Sequence, residues 1–363
     1  MGAWVNTGIG IESEGAHAMV VFNGNVLIGM GDGSLWRSIG GSAPFIQVAA
    51  TPEDANGVLD LKVINSKLYG LFNIGDESGP PGPRVAIFEW TGAAWVLRAI
   101  SPLQSGAYSG LGYGVLFPSF EGAIWCAIGW TVHRWDGVSG ALASHDLSFD
   151  ASHIGYGIVG TDGVMYLGSI SNGRLSRWSD NDGDILTNQL HSGNNSVMPF
   201  EMDGVIYAAA GFNFATLFRW DGGPDWVTVS SLPGFGSGDP QSMIEHEGRI
   251  YIGWGSLSGE RAGEVHSIGP GETIFTREAP KLSGYTKVAA LAVLNGHVFG
   301  AIEGEPSVDG NFYVRFARLR VLPEASSLLP DSTASISHAR ILRGERSPEQ
   351  AYNFHEMMKE RIQ

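Results

Sequence analysis

Apolar and polar residues along this chain come in short runs that alternate at period two, and the runs are separated by pairs of residues suited to tight turns. The stretch from Ser196 to Pro233 carries the pattern most completely. Val197 to Met202 alternates, Asp203-Gly204 follows, Val205 to Ala210 is apolar, Thr216 to Trp220 alternates again, Asp221-Gly222-Gly223 intervenes, and Trp226 to Ser230 closes the unit. An Asx-Gly pair between two apolar runs is a strong hairpin signal, because both turn residues must reach positive φ. The stretch therefore predicts four short antiparallel strands in succession.

The first hairpin of that unit recurs along the chain in seven copies: VVFNGNVLIG, KVINSKLYGLF, VLFPSFEGAIWCAIG, GIVGTDGVMYLGS, PFEMDGVIYAAAG, SMIEHEGRIYIGWG and LAVLNGHVFGAI. Their turns fall at Gly24, Asn65-Ser66, Gly122, Gly163, Gly204, Gly248 and Gly296. The spacing of roughly 40 to 56 residues brackets the period of four-stranded propeller blades. The second hairpin recurs in six complete copies, from SLWRSIGGSAPFIQVA to EVHSIGPGETIFTREA. In the last unit NFYVRFARLRVL supplies a third strand, and no convincing fourth follows it. A fourth strand is found at the other end of the chain, where Met1-Gly2-Ala3-Trp4-Val5 matches Gly92-Ala93-Ala94-Trp95-Val96 and the strand at Trp226-Val227. Pairing the first residues with the last unit closes a ring and hides the edges an open array would expose. The expected fold is all-β, a seven-bladed β-propeller over residues 1–322 closed by the N-terminal strand. Six or eight blades stay open, because the long segment Ser101 to Tyr113 separates the second and third copies. Trp36, Trp90, Trp135, Trp178 and Trp220 recur on the third strand, which predicts a packing role between blades.

Composition narrows the picture. The 52 glycines and 17 prolines of the 363 residues suit many tight turns rather than helices. A formal net charge of −15 argues against a nucleic-acid partner, since phosphate binding draws on lysine and arginine. The single cysteine, Cys126, excludes an internal disulfide; set in the apolar run AIWCAIGW, it is expected to be buried and inert. No run approaches the ~20 apolar residues that span a bilayer, so membrane insertion is not expected. The N-terminus lacks the basic segment and apolar core of a secretory signal.

After Leu322 the composition changes. Residues 323–346 are rich in Ser, Pro and small residues and read as an extended linker. A short amphipathic helix is expected over 347–363: Ser347 caps it, Pro348 suits the first helical position, and Gln350 completes a capping box. Phe354, Met358 and Ile362 lie on its apolar face and are the candidate partner-docking residues, on this propeller or on another subunit.

Turns inside each hairpin are short, whereas the second-to-third loops and the unit-to-unit connections hold the long segments Asn73 to Arg84, Ser101 to Tyr113, Leu147 to Tyr156, Pro233 to Pro240, Gly255 to Gly263 and Glu303 to Phe312. In a propeller these share one face. Binding residues concentrate on loops carried by a rigid scaffold, so the candidates are the aromatic residues there: Tyr108, Tyr113, Phe149, Tyr156, Phe212, Phe214, Phe235, Tyr285 and Phe312. Aromatic platforms beside Asp, Asn and Ser suit sugar rings or a protein partner. Asp76, Glu77, Asp150, Asp239, Glu260, Glu303 and Asp309 are placed on the same loops, but no spacing selects the opposed pair that glycoside hydrolysis needs, and no catalytic residue is assigned. The histidines form no His-x-His or His-Glu-x-x-His set. Asp180-Asn181-Asp182-Gly183-Asp184 has the look of a calcium loop without its downstream glutamate. No metal site and no cofactor is expected.

The Asx-Gly hairpin, the apolar strand with its tyrosine, Leu-Phe-Arg-Trp-Asp-Gly and Trp-Val together resemble kelch-like and other degenerate propellers of tailed-phage virion proteins and bacterial surface proteins, over residues 1–322. The resemblance implies the fold; with the missing secretory signal, the acidic, glycine-rich, disulfide-free composition and the C-terminal linker and helix, the expectation is a non-enzymatic virion structural or adhesion protein, a phage tail- or capsid-associated propeller. Its C-terminal tail would anchor it to other virion or assembly subunits, and its loop-rich face would meet a surface glycan or host receptor. A stand-alone bacterial glycan- or protein-binding propeller, cytoplasmic or surface-associated, is the alternative, followed by a glycan-active hydrolase or lyase.

Overall fold

The structure is a computed structural model that describes residues 3–6, 11–13, 15–39, 45–75, 84–102, 114–120, 122–129, 131–138, 140–146, 154–170, 172–179, 183–190, 196–211, 214–223, 225–233, 238–255, 263–280, 284–306 and 312–320. Contacts divide the chain into Met1–Arg320 and Val321–Gln363. The expected linker and helix, with Phe354, Met358 and Ile362, lie outside the described residues. Everything described is strand, turn or irregular segment, with no helix among the described residues.

Strands β1 (Ala3–Asn6) and β2 (Ile11–Ser13) open the chain. A four-stranded antiparallel sheet follows, made of β3 (Ala16–Phe22), β4 (Asn25–Met30), β5 (Leu35–Ile39) and β6 (Phe45–Ala49). The next holds β7 (Ala55–Ile64), β8 (Lys67–Ile74), β9 (Arg84–Trp90) and β10 (Trp95–Ile100). A third contains β11 (Val115–Phe120), β12 (Ala123–Ile128), β13 (Thr131–Trp135) and β14 (Ala143–Asp146). The fourth has β15 (Ile154–Val159), β16 (Met165–Ser169), β17 (Arg174–Ser179) and β18 (Gly183–Gln189). The stretch that opened the sequence reading is the fifth: β19 (Ser196–Met202), β20 (Val205–Gly211), β21 (Phe214–Trp220) and β22 (Trp226–Pro233).

The remaining strands are β23 (Asp239–His246), β24 (Arg249–Gly255), β25 (Val265–Ile268), β26 (Thr276–Ala279), β27 (Tyr285–Leu294), β28 (His297–Pro306) and β29 (Phe312–Arg320). With β1 and β2 they form one nine-stranded sheet, whose halves are joined in the ladder, among the described residues, by the pairing of Gly255 with Lys287.

The hairpin turns behave as their residues demand. Gly24, Gly122, Gly163, Gly204, Gly248 and Gly296 all have φ between 69° and 76°, and in the copy without glycine Asn65 and Ser66 reach φ 50° and 63°. The N-terminal strand completes the last unit: β1 runs antiparallel to β29, with Trp4 opposite Leu319. Trp4 repeats what Trp95 does elsewhere. Each indole lies over a second-strand glycine, Trp4 over Gly300 and Trp95 over Gly70, where a Cβ would meet the rings at 2.6 and 3.1 Å.

The core is divided into clusters, each shared by two consecutive sets of strands. Trp90 packs with Ala18, Leu27 and Leu35 of the preceding sheet, Trp135 with Leu71 and Ile87, and Trp178 with Phe117 and Trp125. Trp36 packs beside Ala290 and Phe299, joining β3–β6 to β27–β28. Trp220 stands against Tyr166, with Arg177 over its ring at 4.2 Å from the centroid. The repeated tryptophan is thus the residue by which one set of strands grips the one before it. Cys126 lies fully buried in such a cluster, and burial pushes its thiol pKa up, which removes the reactive thiolate.

Candidate functional site

Strands β3, β7, β11, β15, β19, β23 and β27 are the first of their sets; each packs against the next, and β27 returns to β3. They enclose an axial cavity of about 400 Å³, inside the ~300–1,000 Å³ range of small-ligand sites. His17, Gly114, Tyr156, Gln241 and Lys287 line it close to the starts of their strands, the end at which the connections from preceding sets arrive.

Five of the lining residues sit at interruptions of the β-ladder. Register shifts skip His17 in β3, Leu59 in β7, Gly155 in β15, Gln241 in β23 and Ala289 in β27, and all of these line the cavity. A bulge leaves one residue out of the pairing and re-aims its side chain. Because one residue of slip exchanges the two faces of a strand, a bulge also lets one strand feed the inter-sheet core on one side of it and the axis on the other.

Polar groups on the axis stitch neighbouring strands together. His17 donates from Nδ1 to the carbonyl of Val58 at 2.8 Å, since a carbonyl can only accept, and this leaves Nε2 as an acceptor. Asp60 accepts the amide of Leu116 at 2.9 Å through Oδ2 and that of Leu61 at 2.8 Å through Oδ1. Ser242 Oγ accepts the amide of Leu291 at 2.9 Å. Glu303 accepts the amide of Ala16 at 2.6 Å through Oε1, while its Oε2 lies 3.1 Å from Lys287 Nζ. Burial is the main cause lowering the His17 pKa, with the Lys287 charge second and Glu303 and Asp32 opposing. Burial likewise raises Asp60, against the pull of Lys62 and the amides.

Exposure sorts these charges. The Glu303 side chain is 4% exposed and Lys287 27%; Asp60 is 15% exposed and Lys62 42%. The carboxylates are turned into the wall, and the ammonium groups stand nearer the open space. Halfway round the ring the wall is different: Gly155, Tyr156 and Gly157 come from β15, and Met198, Pro199 and Phe200 from β19. The cavity thus offers cationic and neutral polar groups on one side and apolar and aromatic surface on the other. That combination binds and orients a small molecule with one polar end. Among the described residues no group of His, Cys, Asp and Glu is placed to hold a metal ion.

Of the aromatic candidates, Tyr156 is brought to the cavity, on β15 rather than on a loop. Tyr285 is also in a strand, half-buried in β27 with the Arg315 guanidinium 5.1 Å from its ring centroid, and it does not line the cavity. Phe214 and Phe312 open β21 and β29. Tyr108, Tyr113, Phe149, Phe212 and Phe235 lie outside the described residues. Asp239 and Glu303, expected on loops, are in β23 and β28; the register of their partners carries the ladder further than the polar sequence suggests. Sequence reasoning passed over His17, Asp60, Lys62, Gln241 and Lys287. Their signal was available in segments such as AHAM, LDLK and YTKVAA, where polar residues interrupt first strands that are otherwise apolar.

No family model and no curated protein matches the chain. Solved structures do match. The extracellular domain of the hybrid two component system BT4673 from B. thetaiotaomicron has a TM-score of 0.58 at 12% identity, covering 86% of this chain and 40% of that one. A catalytically inactive virginiamycin B lyase from Staphylococcus aureus with quinupristin has a TM-score of 0.62 at 12% identity, covering 89% and 99%. The β-propeller domain of Cps50 (Swd1) from Myceliophteria thermophila gives 0.58 at 11% identity, covering 87% and 99%. At such identities the likeness is one of fold, and the fold is an all-β propeller. The chain spans well under half of the length of the BT4673 chain it matches.

Proposed function

We propose that the chain is a seven-bladed, non-enzymatic binding propeller that takes a small ligand, or the end group of a surface glycan, in its axial cavity. The observation that carries this reading is the cavity, ringed by first strands of which five bring a bulged residue to it. The blade count groups the five separate sheets with the two halves of the nine-stranded one, the last half completed by β1. A virion component that uses this site for adhesion, held to other subunits through residues 323–363, is the setting we propose for it.

The test is a glycan and metabolite array probed with the full chain, followed by Tyr156→Ala and Lys62→Ala. Both side chains line the cavity and neither is in a hydrophobic cluster, so each variant should still fold, as checked by its melting temperature, and lose about 10-fold or more in affinity for the hit. Unchanged affinity in both variants would remove the axial site. Particle incorporation that survives deletion of residues 323–363 would remove the anchoring role.

A further inference from the structure

Resting on the axial reading, we infer that the cavity is a carboxylate site, in which Lys287, Gln241 and His17 hold the acid group of a small organic ligand and His17 takes up a proton as it binds. The three residues come from consecutive first strands, β27, β23 and β3, and all line the cavity. Gly255 lets two of them converge: a Cβ at that position would meet Lys287 Cγ at 2.6 Å and Gln241 Cγ at 2.8 Å, so the two stems pack side by side over the bare glycine. Among the described residues the Lys287 ammonium has one carboxylate neighbour, Glu303, whose other oxygen is already held by the Ala16 amide. Its remaining N–H bonds are available to a ligand.

The half-buried Lys287 ammonium, one amide and one imidazole suit a monoanion, while the second ammonium of the cavity, Lys62, lies 3.8 Å from the Asp60 carboxylate. A phosphate dianion is matched by several cations or a cradle of amides, and along this wall the amides of Leu116, Ala16 and Leu291 are already bonded to Asp60, Glu303 and Ser242. The apolar wall of Met198, Pro199 and Tyr156 leaves room for a ring or short chain behind the acid group.

Proton uptake follows from the tautomer. With Nδ1–H committed to Val58, neutral His17 offers a lone pair at Nε2, which repels a carboxylate and becomes a charge-assisted donor once protonated. In the free protein the groups around it are Lys287 on β27, Glu303 on β28, Asp32 in the turn after β4, and Asp60 and Lys62 on β7. Burial and Lys287 keep it neutral. A bound carboxylate adds negative charge and tips the balance, so affinity should rise as pH falls.

The probes are D-glucuronate and benzoate, each paired with a neutral counterpart, D-glucose and benzyl alcohol, in titration calorimetry with the full chain in buffers of different ionisation enthalpy. At least one acid should bind about 10-fold more tightly than its neutral partner, since a charge-assisted contact is worth ~1.5–3 kcal/mol. Binding should be severalfold tighter near pH 6 than near pH 8, with uptake approaching one proton. His17→Asn keeps a donor for Val58 and should abolish the proton uptake. Lys287→Gln should weaken the acid by about 10-fold while leaving the neutral probe unchanged. Equal affinity for acid and neutral probes, no binding of either acid, or acid binding that both variants leave unaltered would overturn the inference. A neutral array hit that is lost in Tyr156→Ala and kept in Lys287→Gln would overturn it while leaving the axial reading intact. Hits indifferent to every cavity variant would remove that reading as well.

Discussion

The third strands and the first strands of this propeller are built to opposite rules. Third strands repeat: Trp36, Trp90, Trp135, Trp178 and Trp220 occupy equivalent places and pack into clusters shared with the preceding set. First strands differ from one another, carrying histidine at 17, aspartate and lysine at 60 and 62, glycines at 155 and 157, glutamine at 241 and lysine at 287. Repetition marks what the architecture needs at every interface. Variation on the axis marks where the architecture does not dictate the side chain, because a central space does not have to be filled the way an interface does.

The contrast can be broken by mutation, and the largest effect is expected on the repeated side. Trp178→Ala removes an indole that is 5% exposed and stacked edge-on to Trp125 at 5.1 Å. It should cost about 3–5 kcal/mol in urea unfolding. A cost below about 1 kcal/mol would show that the tryptophan repeat does not carry the interfaces.

The second-strand glycines should come next. Gly168 in β16 faces the next set so closely that a methyl there would run into the carbonyl of Val197, while at Gly253 it would meet Val288 Cγ1 at 2.8 Å. Gly168→Ala should therefore destabilise by ~1–3 kcal/mol despite the better intrinsic strand character of alanine. A variant as stable as the wild type in the same unfolding assay would place the sets farther apart than they are here.

On the axis, Asp60→Ala leaves the Leu116 amide without its acceptor and should cost about 1–2 kcal/mol, with Asp60→Asn recovering part of it. A loss as large as that of the tryptophan variant would erase the distinction between the two regions.

The remaining effect is a pH dependence at the entrance to β23. Burial raises the Asp239 pKa from 3.8 to about 6, opposed by hydrogen bonds from Ser196. The folded state therefore holds this proton more tightly than the unfolded chain, so the contribution is present in full below 3.8 and is lost as pH rises through about 6. His17 runs the other way, its depressed pKa costing stability as pH falls through its ordinary 6.5. Comparing melting temperatures of Asp239→Asn and the wild type across this window isolates the aspartate: the variant should gain on the wild type as pH rises. A constant difference would mean that Asp239 titrates normally.

Much of this fold was legible in the sequence. Period-two runs bounded by Asx-Gly gave strands and hairpins because those turns need positive φ, and Asn23-Gly24, Asp203-Gly204 and Asn295-Gly296 adopt it. The match of Trp4 to Trp95 led to the closure by β1, because both indoles cover a second-strand glycine. The candidate site was less legible. Aromatic residues were sought on loops, whereas Tyr156 reaches the cavity from inside a strand, displaced by the bulge at Gly155. The charged residues beside it are spread from position 17 to position 303, and no local spacing relates them.

By itself the sequence determined which segments are strands, where they turn, and that its first strand belongs with its last, since propensity, turn chemistry and a repeated packing residue are local properties that each copy restates. Only the tertiary structure decided which residues face the axis. A bulge is defined by the partner strand, and the meeting of Lys287, Gln241, His17 and Glu303 depends on closing a ring that brings β3 and β27–β28 to one wall.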